Sequence, residues 1–189
     1  MAPLGRAFYS RRTEVVAREL LGKTLVRRLG GEALGGRIVE TEAYFGSGDP
    51  ASRAHRGLKR YNRAMFGEPG RLFIYNVHRY WMLNIVAHRD GVGAVLVRAL
   101  EPTLGVEAMR RNRPTGRLRD LTRGPGRLSQ ALAVDKSLDG VDVTRGESPV
   151  VVLDSPPMGP VARSPRVGVT RDLPEPYRFY VAGNPWVSG

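Results

Sequence analysis

From Lys23 onward the apolar residues of this chain stop recurring at helical spacing and begin to alternate in short runs cut by glycine. That change of period commits most of the chain to a sheet. Residues 24–28, then Gly30-Gly31, then 32–44 with an interruption at Gly35-Gly36, predict strands joined by a glycine turn. Residues 72–77, 80–87 and 94–100 are three further strand-like runs, with His88-Arg89-Asp90-Gly91 turning the chain between the last two. Residues 149–153 and 178–181 add two short candidates in a Pro- and Gly-rich tail. Helical spacing survives in three places. Thr13 is placed to cap an amphipathic helix that Gly22 ends, and residues 106–112 and 128–134 repeat the spacing. The last of these follows Gly124-Pro125-Gly126, whose free amides are expected to face an anion. Residues 45–70 are polar, basic and turn-rich, too long for an ordinary connection and therefore a candidate functional loop. No repeat or linker divides the chain. The fold class expected is α+β: one domain over residues 1–189, a mixed, mainly antiparallel β-sheet surrounded by helices.

Composition removes several kinds of chemistry. The 189 residues contain no cysteine, which excludes disulfides, thiolate-ligated zinc, iron–sulfur clusters and a cysteine nucleophile. His55, His78 and His88 are scattered without metal-ligand spacing, so no metal and no cofactor is expected. No apolar run approaches the ~18 residues of a membrane span, and Arg11, Arg12 and Glu14 interrupt any signal-peptide core, so a soluble intracellular protein is expected. The charge points outward, to an anionic partner: 30 Lys+Arg against 18 Asp+Glu leave +12. Only Lys23, Lys59 and Lys136 are lysines, so arginine carries the charge, with planar forks suited to phosphate. Residues 53–63 hold five basic residues and no acid, and residues 104–127 hold seven arginines against Glu107 and Asp120. These two segments flank an aromatic-rich stretch, as expected where phosphates are neutralised and bases stacked. A merely solvated basic surface is the competing account.

Two constellations could carry chemistry. On the strand through residues 37–44, period-two alternation puts Ile38, Glu40, Glu42 and Tyr44 on one face and Val39, Thr41 and Ala43 on the other. A carboxylate pair beside the long basic loop could hold a water as general base or stabilise a developing cation. Glutamates that face solvent or neutralise arginines fit the same spacing, and periodicity does not choose between Glu40 and Glu42. The second constellation is Phe73, Tyr75, His78, Tyr80, Trp81, Asn84 and Arg98, aromatics mixed with polar residues that an ordinary buried hairpin has little reason to collect.

Five segments then carry a family resemblance: Gly36-Arg37-Ile38-Val39-Glu40-Thr41-Glu42-Ala43-Tyr44; Met65-Phe66 with Pro69-Gly70; Leu96-Val97-Arg98-Ala99-Leu100-Glu101-Pro102; Gly124-Pro125-Gly126-Arg127-Leu128; and Arg178-Phe179-Tyr180-Val181. With the terminal Gly183-Asn184-Pro185-Trp186-Val187-Ser188, the chain resembles the alkyladenine (3-methyladenine) DNA glycosylase family over almost its whole length and in the right order. The resemblance implies an enzyme that flips a damaged purine out of duplex DNA and hydrolyses its N-glycosidic bond, starting base excision repair. The purine is alkylated, with deaminated and etheno types open. It implies Glu42 as the residue that activates water, Tyr44 and Tyr75 as the pocket tyrosines, and Asn84 beneath the base. Arg98 is implied at the flipped nucleotide's phosphate, Arg127 at DNA, and a hairpin inserted into the minor groove. Location follows from the activity: cytoplasmic and nucleoid-associated in a prokaryote, nuclear in a eukaryote, acting as a monomer.

Cleaving a deoxyribose–purine bond passes through an oxocarbenium-like state, so one carboxylate near the anomeric carbon can both orient water and offset positive charge. N3- or N7-alkylated purines carry a positive charge, and tyrosine faces should favour them by roughly 1 kcal/mol. A lyase would need an amine near the sugar, and only Lys59 lies in the candidate loops. The chain departs from the family pattern at two places. Arg53 stands where the family has a pocket histidine, with His55 two positions on, and either could line the pocket. The wedge segment reads Val77-His78-Arg79-Tyr80, one residue short, with His78 or Tyr80 as the wedge. A catalytically silent lesion-sensing DNA-binding protein is the alternative, and an RNA-binding module a third.

Overall fold

The computed structural model describes residues 2–189 as one α+β domain built on a curled sheet in which every pairing is antiparallel. Two short helices, α1 (Arg6–Tyr9) and α2 (Thr13–Glu19), lead into β1 (Thr24–Leu29), β2 (Glu32–Phe45), β3 (Leu72–Val77), β4 (Tyr80–Val86) and β5 (Gly93–Leu104). Helices α3 (Val106–Asn112) and α4 (Pro125–Ala131) follow, then β6 (Val150–Leu153), β7 (Val161–Ser164) and β8 (Arg178–Val181). The strand order is β3-β4-β5-β2-β1-β6, and β8 pairs with both β2 and β7. No helix among the described residues is long and apolar enough to cross a membrane.

The 14-residue β2 organises the molecule. β5 runs along one of its edges, while β1 covers residues 32–37 of the other and β8 covers Glu40–Glu42 beyond it. Gly35-Gly36, read from sequence as an interruption, lies inside this strand. A Cβ there would sit 1.9 Å from the Leu25 carbonyl oxygen on one side and 2.0 Å from that of Glu101 on the other, so only glycine lets β1, β2 and β5 close together. Residues 38–43 are buried on both faces. Val39 and Ala43 join the main apolar cluster with Val16 and Ala17 of α2 and Leu20 just after it, and the Thr41 hydroxyl donates to the Ala17 carbonyl at 2.7 Å. On the other face a smaller cluster of Ala54, Met65, Phe73, Val86 and Ala94 seats Tyr44 and Tyr75. Burying Met65 and Phe73 contributes about 2–3 kcal/mol each, which makes this cluster a firm base for both rings.

Several sequence expectations shift here. Thr13 is the first helical residue, not the cap, and its hydroxyl donates to the Ala87 carbonyl at 2.8 Å, tying α2 to the sheet. The helix expected over 128–134 starts three residues earlier at Pro125, whose missing N–H costs nothing at a first helical position. The 45–70 loop contains a 3-10 helix (Arg60–Phe66), and strand β7 was not foreseen.

Candidate active site

Two compensating bulges build the centre of the site. Ile38 pairs with Leu100 and Glu40 with Ala99, leaving Val39 as the extra residue of β2. Glu40 and Thr41 then pair with Ala99 and Val97, leaving Arg98 as the extra residue of β5. The first bulge breaks strict alternation, so Ile38 packs in the apolar core while Glu40 and Glu42 remain together. The second re-aims Arg98 at both: its Nε donates to Glu40 Oε1 at 3.0 Å and its Nη1 to Glu42 Oε2 at 3.2 Å. Glu40 and Glu42 have no exposed surface and Arg98 is nearly covered, so neither glutamate is a solvated surface charge. The contacts give Arg98 two carboxylates and, at 3.4 Å, the Ser188 hydroxyl, where the resemblance had implied a phosphate.

The partners of the two glutamates differ. Glu40 is saturated by Arg98, Arg178 (Nε to Oε1, 2.7 Å) and the Ser188 hydroxyl and amide (2.9 and 2.7 Å), so it anchors the C-terminal segment and β8. Glu42 accepts from Arg98, from the Tyr44 hydroxyl at 2.7 Å and from the Val167 amide at 2.7 Å. Tyr44, Arg98 and Val167 all line a cleft of about 820 Å³. Glu42 therefore lies directly behind the cleft wall, covered by three of its lining residues, whereas Glu40 is committed to the protein's own tail.

Tyr44 and Tyr75 line this cleft and, with Asn84, Phe73 and Arg53, a small inner recess. Burial, then the Glu42 charge and hydrogen bond, raise the Tyr44 phenol well above the ordinary range, so it remains a donor to Glu42 at all working pH values. Burial likewise raises Tyr75, with Arg53 pulling the other way. Asn84, itself buried, donates from Nδ2 to the carbonyls of Phe73 and Met82 at 3.0 and 3.2 Å, which fixes it at the floor of the recess. Arg53 and His55 both line the cleft and both are exposed; His55 Nδ1 pairs with the Ser47 carbonyl at 2.7 Å.

The residues that sequence reasoning missed are those that fix Tyr44 and Val167. Arg166 is buried, lies 4.5 Å over the Tyr44 ring, and grips Asp49 with two 2.7 Å bonds while its Nε reaches Asp172 at 2.8 Å. Burial alone would raise the Asp49 carboxyl, but the Arg166 hydrogen bond and the Phe45 amide outweigh it and hold the group below its usual range. This pair staples the 45–70 loop to the segment that carries the Val167 amide. No local pattern marks an ion pair whose members are 117 positions apart; an arginine in an otherwise apolar Pro-Arg-Val-Gly-Val run was the only signal.

The remaining candidates lie outside the cleft lining. β3 and β4 form a hairpin with Val77 opposite Tyr80, so His78-Arg79 is its two-residue turn, and His78 adopts φ +56° at its tip. Tyr80 leans on α4: a Cβ at Gly126 would fall 2.9 Å from its ring. Arg127 is paired with Asp120 at 2.8 Å. Pro125 of α4 lines the cleft.

Comparison with known proteins agrees over the length of the chain. Residues 7–185 match the family model of Methylpurine-DNA glycosylase (MPG). The chain is 48% identical to a protein of Aeropyrum pernix, over 98% of this chain and 92% of that protein. It is 45% identical to a protein of Mesorhizobium japonicum (99% and 90%) and 45% identical to one of Rhodopirellula baltica (96% and 81%). All three carry the name "Putative 3-methyladenine DNA glycosylase".

Proposed function

The chain belongs to the methylpurine-DNA glycosylase family, and on that premise we propose that this DNA glycosylase flips a damaged purine from duplex DNA into the cleft and hydrolyses its glycosidic bond with a water activated by Glu42. The observation that carries the reading is the contrast between the two buried glutamates. Glu40 has every acceptor taken by the tail and Arg98, while Glu42 is held behind two cleft-lining side chains and one cleft-lining amide. The everted base stacks on Tyr44 in the cleft that Tyr75 also lines, above the small recess floored by Asn84. As the base settles, the Tyr44 hydroxyl yields its place on Oε2 to water, which Arg98 and the Val167 amide keep oriented by fixing the carboxylate. The C1′–N bond then breaks with its electron pair leaving on the purine. Water adds to C1′ and gives its proton to Glu42, which leaves an abasic site and a free base. Damaged bases leave the stack at lower cost than intact ones, which contributes to selection. The His78-Arg79 turn supplies the wedge that fills the vacated stack. His78 and Tyr80 are both exposed; because the Tyr80 ring rests against Gly126 of α4, we assign the wedge to His78 at the tip of the turn.

A silent lesion-binding protein draws on one observation, the absence of any exposed Glu42 surface. Incubation with a duplex carrying one alkylated adenine, followed by alkali, separates the two. Wild type should give breaks at the lesion, and Glu42→Gln should give none while still binding the duplex. Absence of breaks with alkylated, deaminated and etheno purines alike would leave only the silent binder.

A further inference from the structure

A tyrosine-walled pocket is expected to attract cationic purines, but here both rings already carry a guanidinium. Arg166 sits 4.5 Å from the Tyr44 centroid and Arg53 sits 4.8 Å from that of Tyr75. The two are not equivalent. Arg166 is buried and neutralised by Asp49 and Asp172, whereas Arg53 is exposed and makes no ion pair among the described residues. The cleft as a whole is lined by four guanidiniums, Arg53, Arg56, Arg98 and Arg171, and by no carboxylate. Glu40 and Glu42 balance Arg98, which leaves the other three uncompensated. Of those three only Arg53 also lines the inner recess with Tyr44, Tyr75 and Asn84. Its main chain is fixed there, since the buried Asn62 donates to the Arg53 carbonyl at 2.8 Å and the Tyr61 hydroxyl does so at 3.3 Å. The side chain is therefore presented to whatever stacks on the tyrosines from an anchored stem.

We propose that Arg53 sets the choice of base: its uncompensated guanidinium on the Tyr75 ring disfavours a purine that is already cationic and favours a neutral one whose edge offers hydrogen-bond acceptors, the chemistry of a deaminated purine. This rests on the glycosylase reading above. A positive base on the tyrosines meets the like charge of Arg53 at short range, and the cation–π attraction it would draw from Tyr75 is already in use. A neutral purine with a carbonyl and a ring nitrogen along one edge instead accepts from the guanidinium fork.

The test compares wild type, Arg53→Ala and Arg53→Lys on two duplexes, one with a single hypoxanthine and one with a single 7-methylguanine. The ratio of single-turnover release rates, neutral over cationic, should fall about tenfold in Arg53→Ala. Arg53→Lys, which keeps the charge but not the fork, should give a ratio between those of wild type and Arg53→Ala. An unchanged ratio in Arg53→Ala, or a lysine variant as low as alanine, overturns the proposal. Dissociation constants for the same duplexes, measured with Glu42→Gln present in every protein, give the ratio without chemistry. If wild type releases neither base, the glycosylase reading fails, and the same tenfold criterion on the binding ratio still decides the role of Arg53.

Discussion

Two glutamates two positions apart on one strand, both buried, are distinguished by their partners alone, and the proposed division of labour rests on that difference. Removing the Glu40 charge leaves the Arg98 and Arg178 guanidiniums facing each other's field with the Ser188 bonds weakened. Breaking a buried pair from one side is costly, so Glu40→Gln should lose about 3–5 kcal/mol in urea unfolding. In Glu42→Gln the side-chain oxygen can still accept from the Val167 amide while its NH2 donates to the Tyr44 hydroxyl oxygen, and Arg98 keeps Glu40, so this variant should lose less than half of that while abolishing base release. Equal losses of stability would count against the proposed division between an anchoring Glu40 and a water-activating Glu42. Period-two alternation was enough to put the pair on one face. It could not say what lies against that face, because the Ser188 and Val167 partners come from segments more than 120 positions away.

At the scale of elements, the β2–β5 ladder does more than bury apolar surface. The bulges at Val39 and Arg98 cancel in register, so the strands keep one register on either side of them from Gly36 to Phe45 while Arg98 alone is turned toward the carboxylates. Gly36 makes the close approach possible, and a methyl group there would meet the Glu101 backbone, which cannot swing aside as a flexible side chain can. Gly36→Ala should therefore cost about 3 kcal/mol, seen as a fall of roughly 10 °C in melting temperature. It should also reduce base release, because β5 carries Arg98; a variant that melts normally would show that the strands have room to part. The runs 72–77, 106–112 and 178–181 were legible in the sequence because each alternates or recurs against one apolar partner. Strand β7 was not, since residues 161–164 are half-exposed or exposed and are held to β8 by backbone pairing and one side-chain bond from Arg178 to Ser164.

Across the whole molecule, long-range ion pairs join segments that the topology leaves loosely connected. Asp142 accepts from Arg6 at 2.6 Å and from the Thr144 amide and hydroxyl, which ties the N-terminal helix to the chain after α4. Burial works to raise this carboxyl, but the Thr144 bonds and the Arg6 charge outweigh it and hold it at about 2. Its stabilisation is complete above about pH 4, the unfolded value, and is lost as pH falls through about 2. Unfolding free energies from urea titrations should fall by an amount of order 1–2 kcal/mol more in wild type than in Asp142→Asn between pH 5 and pH 2. Parallel curves for the two proteins would assign the acid lability elsewhere. The sequence by itself determined the sheet, the single domain, the cationic character and the family, because each is written in local periodicity, composition or ordered segments of the chain. Tertiary structure alone decided that Glu40 is anchored while Glu42 backs the cleft, that Arg166 holds Tyr44, and that Arg53 reaches the recess. Those are contacts between residues far apart in the chain, and only the closed fold brings their charges within hydrogen-bonding or stacking distance.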